Sequence, residues 1–194
     1  MTEQLQRVAV IGSSCSGKTT LAQTMAGILD APHIELDAIH WNPAWRPTPL
    51  DEFRRLTRAA VQAERWVLDG NYSPVRDIVW ARATALVWLN YPFRVVLWRA
   101  LRRTVRRVFW RERLFAGNRE TFRQAFMSRD SIIWWVMTTY HRRRREYPPL
   151  FRRAEHAHLR VIELRHPRQA AAFTAGLRDG LKSRVSGDRH LKTF

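Results

Sequence analysis

The residues most able to do chemistry lie near the amino terminus, in "GSSCSGKTT". Gly12 and Gly17 bracket Ser13, Ser14, Cys15 and Ser16, and Lys18, Thr19 and Thr20 follow at once. Every fixed position of G-x-x-x-x-G-K-[ST] is filled. Glycines at both ends let successive backbone N–H groups turn toward one anion, and a helix starting there adds its own donors and dipole. A lysine at this place reaches the β- and γ-phosphates of a nucleoside triphosphate, and the Thr19 hydroxyl coordinates magnesium. Residues 12–20 are therefore expected to hold a nucleoside triphosphate with Mg2+. Cys15 reads as a small residue at a variable position.

A triphosphate site also needs an acid at a neighbouring strand end to serve the metal. Two candidates stand at such ends, Asp37 in "IELDAIHW" and Asp69 in "RWVLDGNY". Asp69 follows the stronger apolar run and is expected on the metal side. Asp37 then faces the acceptor, as a base for a hydroxyl or as a second metal-side group. His40, Trp41, Trp45 and Arg46 follow Asp37 closely. An aromatic plane beside a cation can hold a base or sugar ring; the same residues can also pack as a loop.

These groups need elements to carry them. Arg7–Ile11 reads as a buried strand and Lys18–Leu29 as the helix after it. His33–Leu36 is a second strand ending on Asp37. Thr48 looks like an N-cap with Pro49 at the first helical position, opening a helix to about Glu64. Trp66–Leu68, Ala85–Leu89 and Leu159–Leu164 are further strands, and a helix follows Pro167 to about Leu181. Continuous apolar strands alternating with helices imply a parallel sheet covered on both faces. From Phe93 to Pro149 the pattern is almost wholly helical and rich in arginine, with a break at Arg107–Asn118, Asn118 capping a new helix, and "DSIIWWVMTTYHRRRREY" forming another. Such an excursion before the last strand reads as a lid. Residues 1–181 form one domain in this reading, the lid spans about 93–149, and 182–194 is a flexible tail.

Composition narrows the classes. The chain has 194 residues, 34 Lys+Arg against 17 Asp+Glu, and a formal charge of +17. A nucleotide, a polynucleotide or an anionic surface could each answer that charge. Arginine makes up nearly all the excess and suits bidentate phosphate recognition. Cys15 is the only cysteine, which excludes an intramolecular disulfide and a cysteine zinc site. Polar Met1–Arg7 shows no signal-peptide arrangement, and no apolar run is long enough to cross a bilayer. A cytoplasmic location is expected, with no membrane partner. No helix-turn-helix, zinc finger or RNA-binding signature is present, so the "HRRRRE" run supports only salt-sensitive, non-specific nucleic-acid binding.

With these residues in view, the chain resembles P-loop small-molecule kinases of the adenylate kinase and shikimate kinase kind. It is more closely similar to the DNA topology modulation proteins, a group related to adenylate kinase. The blocks that carry the likeness are "GSSCSGKTTLA", "LDAIHWNPAW", "WVLDGNY", "WRALRRTVRR" and "LFAGNRETFR". The resemblance implies an α/β three-layer P-loop NTPase sandwich with a five-stranded parallel sheet and a helical lid insertion. It also implies ATP and Mg2+ at Gly12–Thr19, an acceptor site over the second strand and helix, and lid arginines closing on the transferred phosphate. Arg99, Arg103 and Arg107 lie on the helix leading into the lid, and Arg119 and Arg123 beyond it. Lys18, Asp37, Arg103 and Arg107 are the expected catalytic residues. Asp37, His40, Trp41, Arg46, Asn71 and Tyr72 are expected around a small anionic or hydroxyl acceptor. The implied activity is phosphoryl transfer in the manner of a nucleoside monophosphate kinase. Two departures from adenylate kinase stand out. Asp69-Gly70 continues as Asn71-Tyr72-Ser73 in place of Phe-Pro-Arg, and the lid has neither zinc cysteines nor a compact glycine-arginine turn. The rival reading is a regulatory protein that binds nucleotide, associates with nucleic acid and has no metabolic acceptor.

Overall fold

Strand β1 (Arg7–Gly12) is buried because its alternating residues serve two cores at once. Val8 and Val10 face one core, Ala9 and Ile11 the other. The computed structural model describes residues 5–110 and 132–190, without the side chains of 107–110, 132–136 and 184–190. In it β1 pairs in parallel with β5 (Trp66–Asp69) on one side and β6 (Ala85–Leu89) on the other. β2 (His33–Glu35) adds outside β5, and β7 (Arg160–Leu164) outside β6. The order is β2-β5-β1-β6-β7, the five-stranded parallel sheet that the apolar runs imply.

Helices cover both faces. α1 (Lys18–Leu29) lays Leu21, Met25 and Leu29 on one core together with Leu177 of α7 (Pro167–His190). α3 (Leu50–Ala60) and α4 (Arg76–Arg82) supply Phe53, Ile78 and Val79 to the other. α5 (Phe93–Trp110) and α6 (Ile132–Phe151) pack on each other. α6 reaches both cores, with Tyr140 in the first and Tyr147 and Leu150 in the second. Fully burying a large apolar side chain contributes about 1.5–3 kcal/mol, and Trp66, Phe53, Met25 and Tyr147 are all at or below 2% exposure. Among the described residues no helix is long and apolar enough to cross a membrane.

Several boundaries differ from the sequence reading. Thr48 caps nothing: its hydroxyl donates to the Ile39 carbonyl at 2.8 Å and accepts from Asn42 at 3.0 Å. α3 starts at Leu50 behind Pro49 and ends at Ala60. The second strand stops at Glu35, and Leu36 already begins α2 (Leu36–His40). A small antiparallel hairpin follows, β3 (Trp41–Asn42) with β4 (Arg46–Pro47), turned by Ala44 and Trp45 in left-handed conformation at φ 59° and 55°. α4 occupies a stretch to which the sequence reading assigned no element. α5 continues past the expected break at Arg107 to Trp110. α6 carries Pro148 and Pro149 in its last turn, where burial of Tyr147 and Leu150 outweighs the missing donor. α7 extends beyond Leu181 to His190. Asn118, Arg119 and Arg123 lie outside the described residues, as does the side chain of Arg107.

Candidate active site

The phosphate loop leaves the carboxyl end of β1, the central strand. A Cβ on Gly12 would meet the Leu89 carbonyl oxygen at 2.8 Å. Gly17 opens α1 at φ 94°, and a Cβ there would meet Arg99 Nη1 at 2.9 Å. Within the loop the Ser16 amide donates to the Ser13 carbonyl at 3.2 Å. Half-buried Lys18 folds back over it, its Nζ donating to the same carbonyl at 3.1 Å. Burial, then the Arg143 guanidinium, hold the Lys18 ammonium below the ordinary lysine range, against Asp37 and Asp69. Two arginines of α5 reach the loop. Arg99 Nη1 donates to the Ser16 carbonyl at 2.6 Å, with its guanidinium 5.2 Å from the Tyr91 ring centroid. Arg103 Nη1 lies 3.8 Å from the Cys15 sulfur.

Thr19 and Asp69, the two residues expected on the metal side, meet. The Thr19 hydroxyl donates to Asp69 Oδ2 at 2.7 Å and lies 3.4 Å from Glu35 Oε1. His33 Nε2 is 2.7 Å from the other Asp69 oxygen. Burial, then Asp69 and Asp37, push the Glu35 carboxyl above its usual range, against His33 and Thr19. Neither His33 nor Glu35 stood out in the sequence, because their place beside Asp69 depends on β2 pairing with β5.

These residues suit a magnesium triphosphate on two observations. The buried Ser16 hydroxyl in the loop has no hydrogen-bond partner among the described residues. The hydroxyl-carboxylate pair also matches how Mg2+ is held, by one or two protein groups with phosphates and waters completing the shell. Among the described residues no cluster of three or more His, Cys, Asp or Glu could hold a metal alone.

On the acceptor side, Gly70 at φ 140° lets the start of α2 sit close, since a Cβ there would meet Leu36 Cβ at 2.6 Å. That packing brings Asp37 to Tyr72, whose hydroxyl donates to Asp37 Oδ1 at 2.5 Å. Burial and the Asp37 charge push the Tyr72 phenol well above its usual range, so it remains a donor. The His40 ring lies 4.5 Å from Tyr72, 4.8 Å from Phe53 and 4.7 Å from Trp41, and Trp41 meets Trp45 edge-on at 5.7 Å. Burial holds the His40 imidazole below its ordinary value, against Asp37. Asp37, His40, Trp41 and Tyr72 thus come together, while Arg46 is exposed on β4.

Asn71 ties the turn after β5 to the glycine-rich loop: its amide oxygen accepts from the Gly12 N–H at 3.2 Å and its amide nitrogen donates to the Gly12 carbonyl. Sequence reasoning also missed the reach of one cation, Arg143. The "HRRRRE" run read as a helix end, yet the charge of Arg143 acts on Lys18, Tyr72 and Tyr147. Its four-residue spacing from buried Tyr147 was the available signal.

The fold is the P-loop kinase sandwich. The chain is similar to a gluconokinase from Sinorhizobium meliloti 1021 over 98% of both chains, with TM-score 0.50 and 18% identity. It is likewise similar to a shikimate kinase from Bacteroides thetaiotaomicron, with TM-score 0.52 and 17% identity, over 91% of this chain and 98% of that one. At such identities the likeness is one of fold. No protein-family model matches the chain, and no curated protein matches it either.

Proposed function

We propose that the protein is a kinase that moves the γ-phosphoryl group of ATP to a hydroxyl on a small acceptor. The observation that carries this reading is the Asp37 carboxylate, fixed by the Tyr72 hydroxyl at 2.5 Å and electrostatically coupled to Lys18 of the phosphate loop. The loop amides and Lys18 bind the triphosphate. Thr19, with Asp69 beside it, would hold Mg2+, which would supply charge neutralisation at the phosphate oxygens. Arg99 and Arg103 hold the loop from α5. Asp37 accepts the proton of the acceptor hydroxyl as its oxygen bonds to the γ-phosphorus, and the bond from that phosphorus to the bridging oxygen breaks to leave ADP. Positioning and charge neutralisation carry such a transfer with little covalent help.

A nucleoside monophosphate is the finer alternative that the adenylate kinase likeness suggests. Its ionised phosphate needs no base and would face the Asp37 carboxylate, so a hydroxyl acceptor is the better fit. The narrower likeness to DNA topology modulation proteins rests on "LDAIHWNPAW" and "WVLDGNY", which hold these same acceptor-side residues. The test is a coupled ADP-release screen across nucleoside monophosphates and small hydroxyl metabolites, with Lys18→Ala as control. Asp37→Asn is expected to lower kcat about 10²–10⁴-fold on a hydroxyl acceptor. Unchanged turnover would remove Asp37 as base.

A further inference from the structure

We propose that His33 is a positioning residue for magnesium: it holds one oxygen of Asp69 so that the other serves Thr19 and the metal. This rests on the kinase reading above and deepens its metal side. His33 opens β2 in register with Val67 of β5, and Glu35 stands two residues on, in register with Asp69. Side chains two apart on a strand share a face. Val67 packs with Leu21 and Met25 of α1, so this is the face that α1 covers. Strand register thus brings His33, Glu35 and Asp69 to the start of that helix, where Thr19 sits.

The contacts divide Asp69 between two donors. His33 Nε2 lies 2.7 Å from Oδ1, and the Thr19 hydroxyl donates to Oδ2 at 2.7 Å. An ionised carboxylate only accepts, so Nε2 carries the proton in this contact. The Asp69 side chain is 4% exposed and that of His33 19%, which leaves water little access to either. A buried acid needs some donor, and a purely structural partner could satisfy it on either oxygen. The arrangement here is narrower. His33 takes the oxygen that Thr19 does not use, and the Thr19 hydroxyl is the group that meets magnesium in a loop of this type. Glu35 Oε1 lies 3.4 Å from the same hydroxyl, and its like charge pushes Asp69 away unless a donor holds it. Mg2+ demands a near-ideal octahedral shell, whereas Ca2+ also accepts a carboxylate by both oxygens. With Oδ1 occupied by His33, Asp69 presents a single oxygen, the form that suits Mg2+.

The experiment uses the full chain as wild type, His33→Ala, His33→Phe and His33→Gln. Phenylalanine keeps a ring without a donor, and the glutamine amide can donate from near the place of Nε2. Calorimetry measures ADP alone, ADP with Mg2+ and ADP with Ca2+, beside melting curves and a coupled assay of phosphoryl transfer. In His33→Ala, ADP alone should bind as in wild type, while the Mg2+ needed for half-maximal ADP binding rises about tenfold or more. The preference for Mg2+ over Ca2+ should narrow, and His33→Gln should recover part of both. Should His33→Ala fail to fold, His33→Phe is read by the same criteria. A lower melting temperature with an unchanged Mg2+ requirement makes the pair structural and overturns the proposal. An equal loss of ADP binding with and without metal overturns it too. No heat from ADP in wild type under any condition removes the nucleotide site and the His33 role together. The expected metal shifts without phosphoryl transfer to any acceptor would overturn the kinase reading and leave the His33 role standing.

Discussion

Asn71 grips Gly12 by both main-chain groups, so the turn after β5 and the phosphate loop after β1 are tied by one side chain across 59 residues of sequence. Asn71→Ala leaves a buried N–H and a buried carbonyl without that partner, at a cost of about 1–3 kcal/mol each. The expected outcome is a lower melting temperature and weaker ATP binding by calorimetry. A variant changed only in acceptor KM would return Asn71 to the acceptor role its residue type first suggests.

Lys18→Ala removes the loop's ammonium without touching either core. We expect kcat to fall by about 10²–10³, the usual loss when one positioned donor to a developing charge is deleted. Melting should stay close to wild type. Retained turnover would mean that the phosphoryl group travels elsewhere.

Gly70→Ala tests how the acceptor side is positioned. The new Cβ would fall 2.6 Å from Leu36 Cβ, at a backbone φ of 140° that side chains rarely adopt. Overpacking of this kind costs about 1–3 kcal/mol, measurable by urea denaturation. Because Leu36 begins the helix that carries Asp37, kcat should drop while ATP affinity holds.

His40 gives a pH signature. Its imidazole is held below the ordinary value by burial, with Asp37 acting the other way, and its Nδ1 is buried without a partner among the described residues. Trp41, Phe53 and Tyr72 surround it. The unfolded chain therefore takes up the proton first as pH falls through about 6.5. The stability tied to the neutral ring is present above that value and declines as pH drops toward the folded-state value. Urea midpoints between about pH 7 and pH 5 should fall more steeply for wild type than for His40→Gln. Parallel slopes would remove His40 as the source.

How far the sequence could be read depended on the range of the interactions involved. Ala85–Leu89 and Lys18–Leu29 were legible to the residue, because an unbroken apolar run and a glycine-opened helix are local signals. The turn from Gly12 to the start of α1 was legible for the same reason, as was Asp69 at the end of β5, whereas Asp37 falls in the first turn of α2 instead of at a strand end. Thr48 misled because its hydroxyl had a better partner in Ile39 than the helix it precedes. The hold of Asn71 on Gly12 and the action of Arg143 on Lys18 could not be read, since each joins residues distant in the chain that only the folded sheet and helices bring near. The run through Pro148 and Pro149 shows packing overruling a local stop signal.

β1 is hydrogen-bonded on both flanks, by β5 and by β6. Its amides open to heavy water only when the whole sheet parts, which makes them the slowest to exchange. The strand that carries the glycine-rich loop is consequently the last part of the molecule to yield. In the proposed kinase the motion of turnover comes from the helices around that strand, and a ligand arriving there can slow exchange in the helices and turns long before it registers in the strand beneath.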